Sequence, residues 1–228
     1  MYPNTFSEFL FKLNGTPLRV LDPSIDNSNY IALDLSEDNE ALQMVDVSSS
    51  SKLENYITNH IKKHNALVAF GGYNENRNIY KRSNYFNLET AKERNIHIGM
   101  DLWYDAHSPV FTPLDATVHS FKNNINYGDY GPTIILKHHI NNVDFYTLYG
   151  HLNLASIENL KVNQFIKQGE LLGLLGDASV NGDYPPHLHF QIIKDLQGFK
   201  GDYPGVCNKA DLDFYLENCP NPNLLLKL

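Results

Sequence analysis

Cysteine is scarce. Two occur in 228 residues, Cys207 and Cys219, both close to the C-terminus. They imply no disulfide framework, and two buried free thiols are expected. Positive charge is the scarcer sign: 18 Lys+Arg stand against 26 Asp+Glu, a formal net charge of −8. That balance argues against a nucleic-acid partner and against a grip on anionic membrane through bulk charge. Long apolar runs are missing as well. None approaches the ~18–20 residues that span a bilayer, so no membrane partner is expected. The opening stretch MYPNTFSEFLFKLNG has no basic leader, and Glu8 and Lys12 interrupt it. It does not read as a secretory signal. A cytoplasmic location is expected, with export by an unrecognised route as the alternative.

What is present suits a packed globular chain. Hydrophobic residues make up 42% and charged residues 19%, against the low hydrophobicity of a disordered chain. The length suits one domain with an appendage. In SKLENYITNHIKKHN, the residues Leu53, Tyr56, Ile57, His60, Ile61 and His64 recur at helical spacing, which predicts a short amphipathic helix. Ser49 to Ser51 offer its N-cap. Ala66 to Phe70 read as a strand stopped by Gly71-Gly72, and the Asn-rich YNENRNIYKRSNYFN after it reads as a solvated covering loop. From about Ile96 to Ile193 the pattern becomes short strands with turn punctuation. GPTIILKHHI and VDFYTLYGHL flank Asn141-Asn142, a two-residue hairpin signal. A further helix is predicted over ADLDFYLEN. The expected architecture is a mainly β core with an N-terminal α-helical appendage. Residues 1–93 form an accessory region, 94–193 the core, and 194–228 a C-terminal extension packed on it.

Three short motifs carry the chemistry. In His187-Leu188-His189 the two imidazoles share one face of a strand and can converge on one ion or substrate. In His97-Ile98-Gly99-Met100-Asp101 the outer residues would lie about 13 Å apart on an extended strand, too far to share an ion. A helix would bring them together, but Gly99 and the absence of a helical apolar face disfavour one. A bend at Gly99 remains. Tyr149-Gly150-His151-Leu152 ends an alternating strand and can turn His151 into a cleft. His60 and His64 lack a third donor nearby. His138 and His139 are adjacent on a strand, so they point to opposite faces. Asp105 and Asp177 could orient a ligand imidazole.

Taken in order, H-x-G-x-D, Y-x-H-L and P-H-L-H-F resemble the lysostaphin-like zinc metalloendopeptidases, metallopeptidase family 23. The resemblance runs from about His97 to Ile193 and includes connecting text: Pro109-Val110 with Pro113 to Ala116, and Lys161-Val162 through Gly169-Glu170 to Gly176. It implies a barrel-sandwich hybrid of two facing antiparallel sheets. It implies one Zn²⁺ per chain held by His97, Asp101 and His189, with His151 and His187 as unligated catalytic histidines beside the bound water. It does not divide the roles of general base and oxyanion or leaving-group partner between those two. The implied function is hydrolysis of a peptide bond, with peptidoglycan peptides as the substrate class. Two alternatives stand beside it: a cytosolic zinc hydrolase of another short peptide or amide, and a non-catalytic zinc-bound regulatory module. The first gains from segments such as GPTIIL and YTLYGHL, which resemble a lysostaphin-like module of larger bacterial chains. Asp177 to Tyr184 departs from the family's short turn and could reshape the groove. Asn74, Asn76 and Asn78 lie some twenty residues before His97; related zymogens occlude zinc with an N-terminal asparagine, so the resemblance allows latency beside the reading as a simple covering loop.

Overall fold

A computed structural model describes residues 5–13, 15–82 and 93–228. Its helices are α1 (Phe6–Lys12), α2 (Ser50–Lys63), α3 (Ala155–Glu158), α4 (Leu212–Asn218) and α5 (Asn223–Leu226). The strands begin with β1 (Tyr30–Ala32), β2 (Val68–Gly71), β3 (Glu75–Asn76), β4 (Ile96–His97) and β5 (Met100–Trp103). They continue with β6 (Pro109–Phe111), β7 (Ala116–Asn124), β8 (Gly131–Ile140) and β9 (Val143–Gly150). The last are β10 (Phe165–Ile166), β11 (Leu171–Leu174), β12 (His187–Ile193) and β13 (Val206–Cys207). The fold is mainly β, as expected.

Eight strands form one sheet in the order β1-β2-β5-β12-β9-β8-β7-β10, while β11-β6 and β13-β4-β3 form smaller sheets. The β1–β2 pair is parallel, and the other paired strands of the large sheet are antiparallel. The Asn141-Asn142 turn joins β8 to β9 with φ of 51° and 62°, the positive values that a tight two-residue hairpin requires. Helix α2 forms where its periodicity placed it, with the Ser49 side chain accepting from the Lys52 N–H and Leu53 and Ile57 turned inward.

Alternation along the strands divides the large sheet into two faces. Leu188, Phe190 and Ile192 of β12 join Met100, Leu102, Ile134, Leu136 and Tyr149 in the main core, which α1 and α5 cover with Phe9, Leu10, Leu225 and Leu226. The opposite residues of the same strands carry the site, flanked by two smaller apolar clusters. Every residue of β12 is therefore buried. Burying an apolar side chain of this size contributes about 1.5–3 kcal/mol. The strand that carries two histidines is thus anchored by the three large apolar residues between and beyond them.

The N-terminal residues contribute more than a helix. β1 and β2 extend the large sheet, with Gly71 opposite Asp101, and β3 pairs with β4 so that Glu75 lies opposite His97. The expected solvated loop is overturned over its described part. Arg77, Ile79 and Tyr80 are buried, because they are held between β3 and the groove. The rest of that stretch, 83–87, lies outside the described residues. Cys207 and Cys219 are free and buried, as expected.

Candidate metal centre and active site

The chain breaks between β4 and β5 at Ile98-Gly99. The required bend exists there, and it moves His97 onto the three-stranded sheet while Asp101 stays on the large one. Gly99 has a second reason to be glycine. A Cβ built on it would lie 2.4 Å from the His189 ring, so the imidazole occupies the space that a side chain would fill. On the neighbouring strand, His189 is registered directly against Asp101. Bend and register together bring the three side chains to one point.

Their donor atoms form a small triangle. His97 Nε2 is 2.9 Å from His189 Nδ1, Asp101 Oδ1 is 3.3 Å from His97 Nε2, and it is 3.2 Å from His189 Nδ1. Donors ~2.0–2.2 Å from one tetrahedral ion lie about 3.3–3.6 Å from each other, so the edges fit such an ion with slight contraction.

Protonation sharpens the fit. His97 Nδ1 donates to the Gly72 carbonyl at 2.8 Å. His189 Nε2 donates to Gln191 Oε1 at 2.9 Å, and the Gln191 amide is oriented by its own N–H on the Pro204 carbonyl at 3.1 Å. Each neutral ring therefore turns an unprotonated nitrogen towards the carboxylate oxygen. Three acceptor lone pairs with no proton between them repel one another unless a cation joins them. Burial favours a neutral His97: it pushes that imidazole down to about 4 against the pull of Asp101, with Arg77 adding to the depression. Burial alone would raise the Asp101 carboxyl, yet His97, Arg77 and His187 together hold it well below the usual carboxylate range.

His151 and His187 stand beside the triangle. Their ring centroids are 4.2 Å apart, and His187 Nε2 is 3.8 Å from Asp101 Oδ1. His187 Nδ1 donates to the Pro185 carbonyl at 2.7 Å, and His151 Nδ1 to the Asn181 carbonyl at 2.8 Å. Both rings thus keep Nε2 free of a proton. His151 sits at φ +62°, a left-handed conformation that a non-glycine residue adopts at a cost of order 1–3 kcal/mol. That turn at the end of β9 swings its ring inward. Burial, with His187 and His189 nearby, holds His151 well below the ordinary histidine range. Burial lowers His187 too, against the attraction of Asp101.

All five residues line one groove, walled by Tyr80, Trp103, Tyr130, Tyr184 and Tyr203. The segment from Asp177 to Tyr184 does shape it, through the Asn181 carbonyl and the Tyr184 ring. Other expectations fail. Asp105 is exposed, and Asp177 accepts from the Ser179 N–H; neither orients a site histidine, a part taken by the carbonyls and Gln191. Asn74, Asn76 and Asn78 do not line the groove. Alternation along β3 and the turn that follows turns Arg77 inward instead, and its Nη1 donates to Asp101 Oδ2 at 2.6 Å. His138 is buried and His139 exposed, as their alternation required.

Residues 95–201 match the model of peptidase family M23. The L-Ala–D-Glu endopeptidase of Bacillus subtilis (strain 168) is 29% identical over 107 residues, 45% of this chain and 31% of that protein; the chain thus spans about a third of that relative's length. Among solved structures, the catalytic domain of lysostaphin from Staphylococcus simulans aligns over 53% of this chain and 80% of its own, at 22% identity and a TM-score of 0.36. A zinc-containing peptidase from Vibrio cholerae aligns over 48% of this chain and 31% of its own, at 26% identity and a TM-score of 0.35. The ordered motifs from His97 to His189 thus fall inside the segment that matches peptidase family M23.

Proposed function

We propose that this chain is a zinc-dependent metalloendopeptidase that hydrolyses a peptide bond in peptidoglycan peptides. One observation carries the reading: three unprotonated donors converge from His97, Asp101 and His189, with two more unprotonated imidazole nitrogens beside them. Two neutral imidazoles and one carboxylate suit zinc, leaving it a net positive charge and an open position. When bound there, zinc supplies an activated water at neutral pH and polarises the scissile carbonyl.

The chain's own groups supply the proton transfers. The Nε2 atoms of His151 and His187 are free to accept a proton from an attacking water, because each Nδ1–H is held by a backbone carbonyl. A ring so protonated becomes the donor for the departing amine or for the developing oxyanion. Burial favours return of that proton, since it disfavours the imidazolium. Trp103 lies opposite His187 across the β5–β12 pair and stacks on its ring at 6.0 Å, which fixes the plane in which Nε2 points. The amide named in the Bacillus subtilis relative supports a bond of the L-Ala–D-Glu kind.

The test is product release from purified peptidoglycan and from soluble L-Ala–D-Glu peptides, read by mass spectrometry. Zinc-loaded wild type is expected to yield new free amines, and His187→Ala none. Intact substrates with one zinc bound per chain would overturn the peptidoglycan reading.

A further inference from the structure

Arg77 lies upstream of the segment that matches the family model, yet its side chain is 3% exposed and reaches the centre. We propose that Arg77 is a positioning residue for the metal. It holds the Asp101 carboxylate so that a single oxygen faces the two imidazoles. The proposal rests on the reading that His97, Asp101 and His189 hold the ion.

A buried guanidinium is costly unless its charge is paired. Here Nε is bonded to Glu75 and Nη1 to Asp101 Oδ2 at 2.6 Å and the Tyr80 hydroxyl at 3.4 Å. The group also lies over the Trp103 ring, 5.7 Å from its centroid. The planar fork is thus held at Nε and Nη1, with Nη2 buried and unpartnered, a two-point constraint that an ammonium cannot reproduce. Asp101 is divided as a result. Oδ2 belongs to Arg77, while Oδ1 alone lies 3.2 Å from His189 Nδ1 and 3.3 Å from His97 Nε2. A carboxylate free to rotate could offer both oxygens to an ion, which would occupy the position that a water needs. With Oδ2 held, Asp101 would offer an ion one donor and leave that position to water.

The same short segment sets a second donor. The Gly72 carbonyl fixes the His97 tautomer. Gly72 has φ +96°, and a Cβ on it would lie 1.9 Å from Arg77 Nη2 and 2.9 Å from His97 Nδ1. Only a residue without a side chain lets guanidinium and imidazole lie side by side there. Glu75, Arg77 and Asp101 then alternate in charge towards the cation, and each neighbour compensates the last.

Full-length Arg77→Met and Arg77→Lys test this. The readouts are zinc affinity by chelator competition, the visible absorption of the cobalt-substituted protein, and thermal melting of the metal-free protein. Arg77→Met is expected to bind zinc about 10–100-fold more weakly. Its cobalt absorption should weaken, as it does when a four-coordinate ion gains a ligand. Arg77→Lys keeps the charge and is expected to recover part of the affinity while its cobalt spectrum stays altered. It also decides the matter should the methionine variant fail to fold. A purely structural ion pair would move the melt alone, so wild-type affinity and spectrum in a folded variant overturn the proposal. A wild type that binds neither ion overturns the metal reading, and this inference with it.

Discussion

His97 and His189 each commit one ring nitrogen to a carbonyl oxygen, and the other nitrogen is left facing a carboxylate. That arrangement suits the centre to a cation, and much of it was readable in advance. Two histidines two apart on a strand must share a face, and a histidine and aspartate four apart need a bend at the glycine between them. Gln191 shares the face of His187 and His189 by the same alternation, but a neutral amide carries no ligand signal, so its part was missed. Arg77 was out of reach because 24 residues separate it from Asp101 and no spacing rule joins them. Gly99 supplies a sharp test, since any Cβ there meets the His189 ring at 2.4 Å. Gly99→Ala is expected to cost about 1–3 kcal/mol of stability by overpacking and to weaken zinc binding by about 10-fold or more. Chelator competition and thermal melting read the two effects, and an unchanged zinc affinity would show that His189 is not held by that contact.

Strands that are long or punctuated by clear turns were legible; short ones were not. β8 and β9 announced themselves through alternation and an Asn-Asn turn. Tyr30–Ala32 has only three residues, too few for a period to register, and it pairs with β2 across a long connection. Helix α1 is seven residues, capped by Thr5, and α5 is four; both depend on packing against the main core more than on intrinsic preference. On β8, His138 illustrates how burial in a strand sets a titration. Its ring bonds the Asp115 carbonyl at 2.9 Å and Thr147 Oγ1 at 2.8 Å, and burial pushes it down to about 4 from 6.5. As pH falls from about 6.5 towards 4, the unfolded chain gains a proton that the folded chain does not. Stability is therefore full above that window and is lost as the pH falls through it. The contribution approaches about 1.4 kcal/mol per pH unit. Urea unfolding at several pH values should show a shallower slope for His138→Gln than for wild type, and equal slopes would remove His138 from the acid sensitivity.

The site joins parts of the chain that the motifs alone did not connect. Its donors come from β4 on the small sheet and from β5 and β12 on the large one, while Gly72 and Arg77 reach them from the N-terminal residues. The mainly β character was legible from turn punctuation. That the first eighty residues extend the large sheet and wall the groove was not, since their Asn-rich text imitates a loop and their contacts are distant in sequence. The assembled centre makes one separation of roles that zinc content can read. Purified wild type, His187→Ala and His189→Ala are to be dialysed against limiting zinc and assayed for bound metal. The geometry predicts one zinc in wild type, close to one in His187→Ala, and little in His189→Ala. Equal loss of zinc from both variants, or zinc retained by both, would contradict a centre in which His189 binds the ion and His187 only stands beside it.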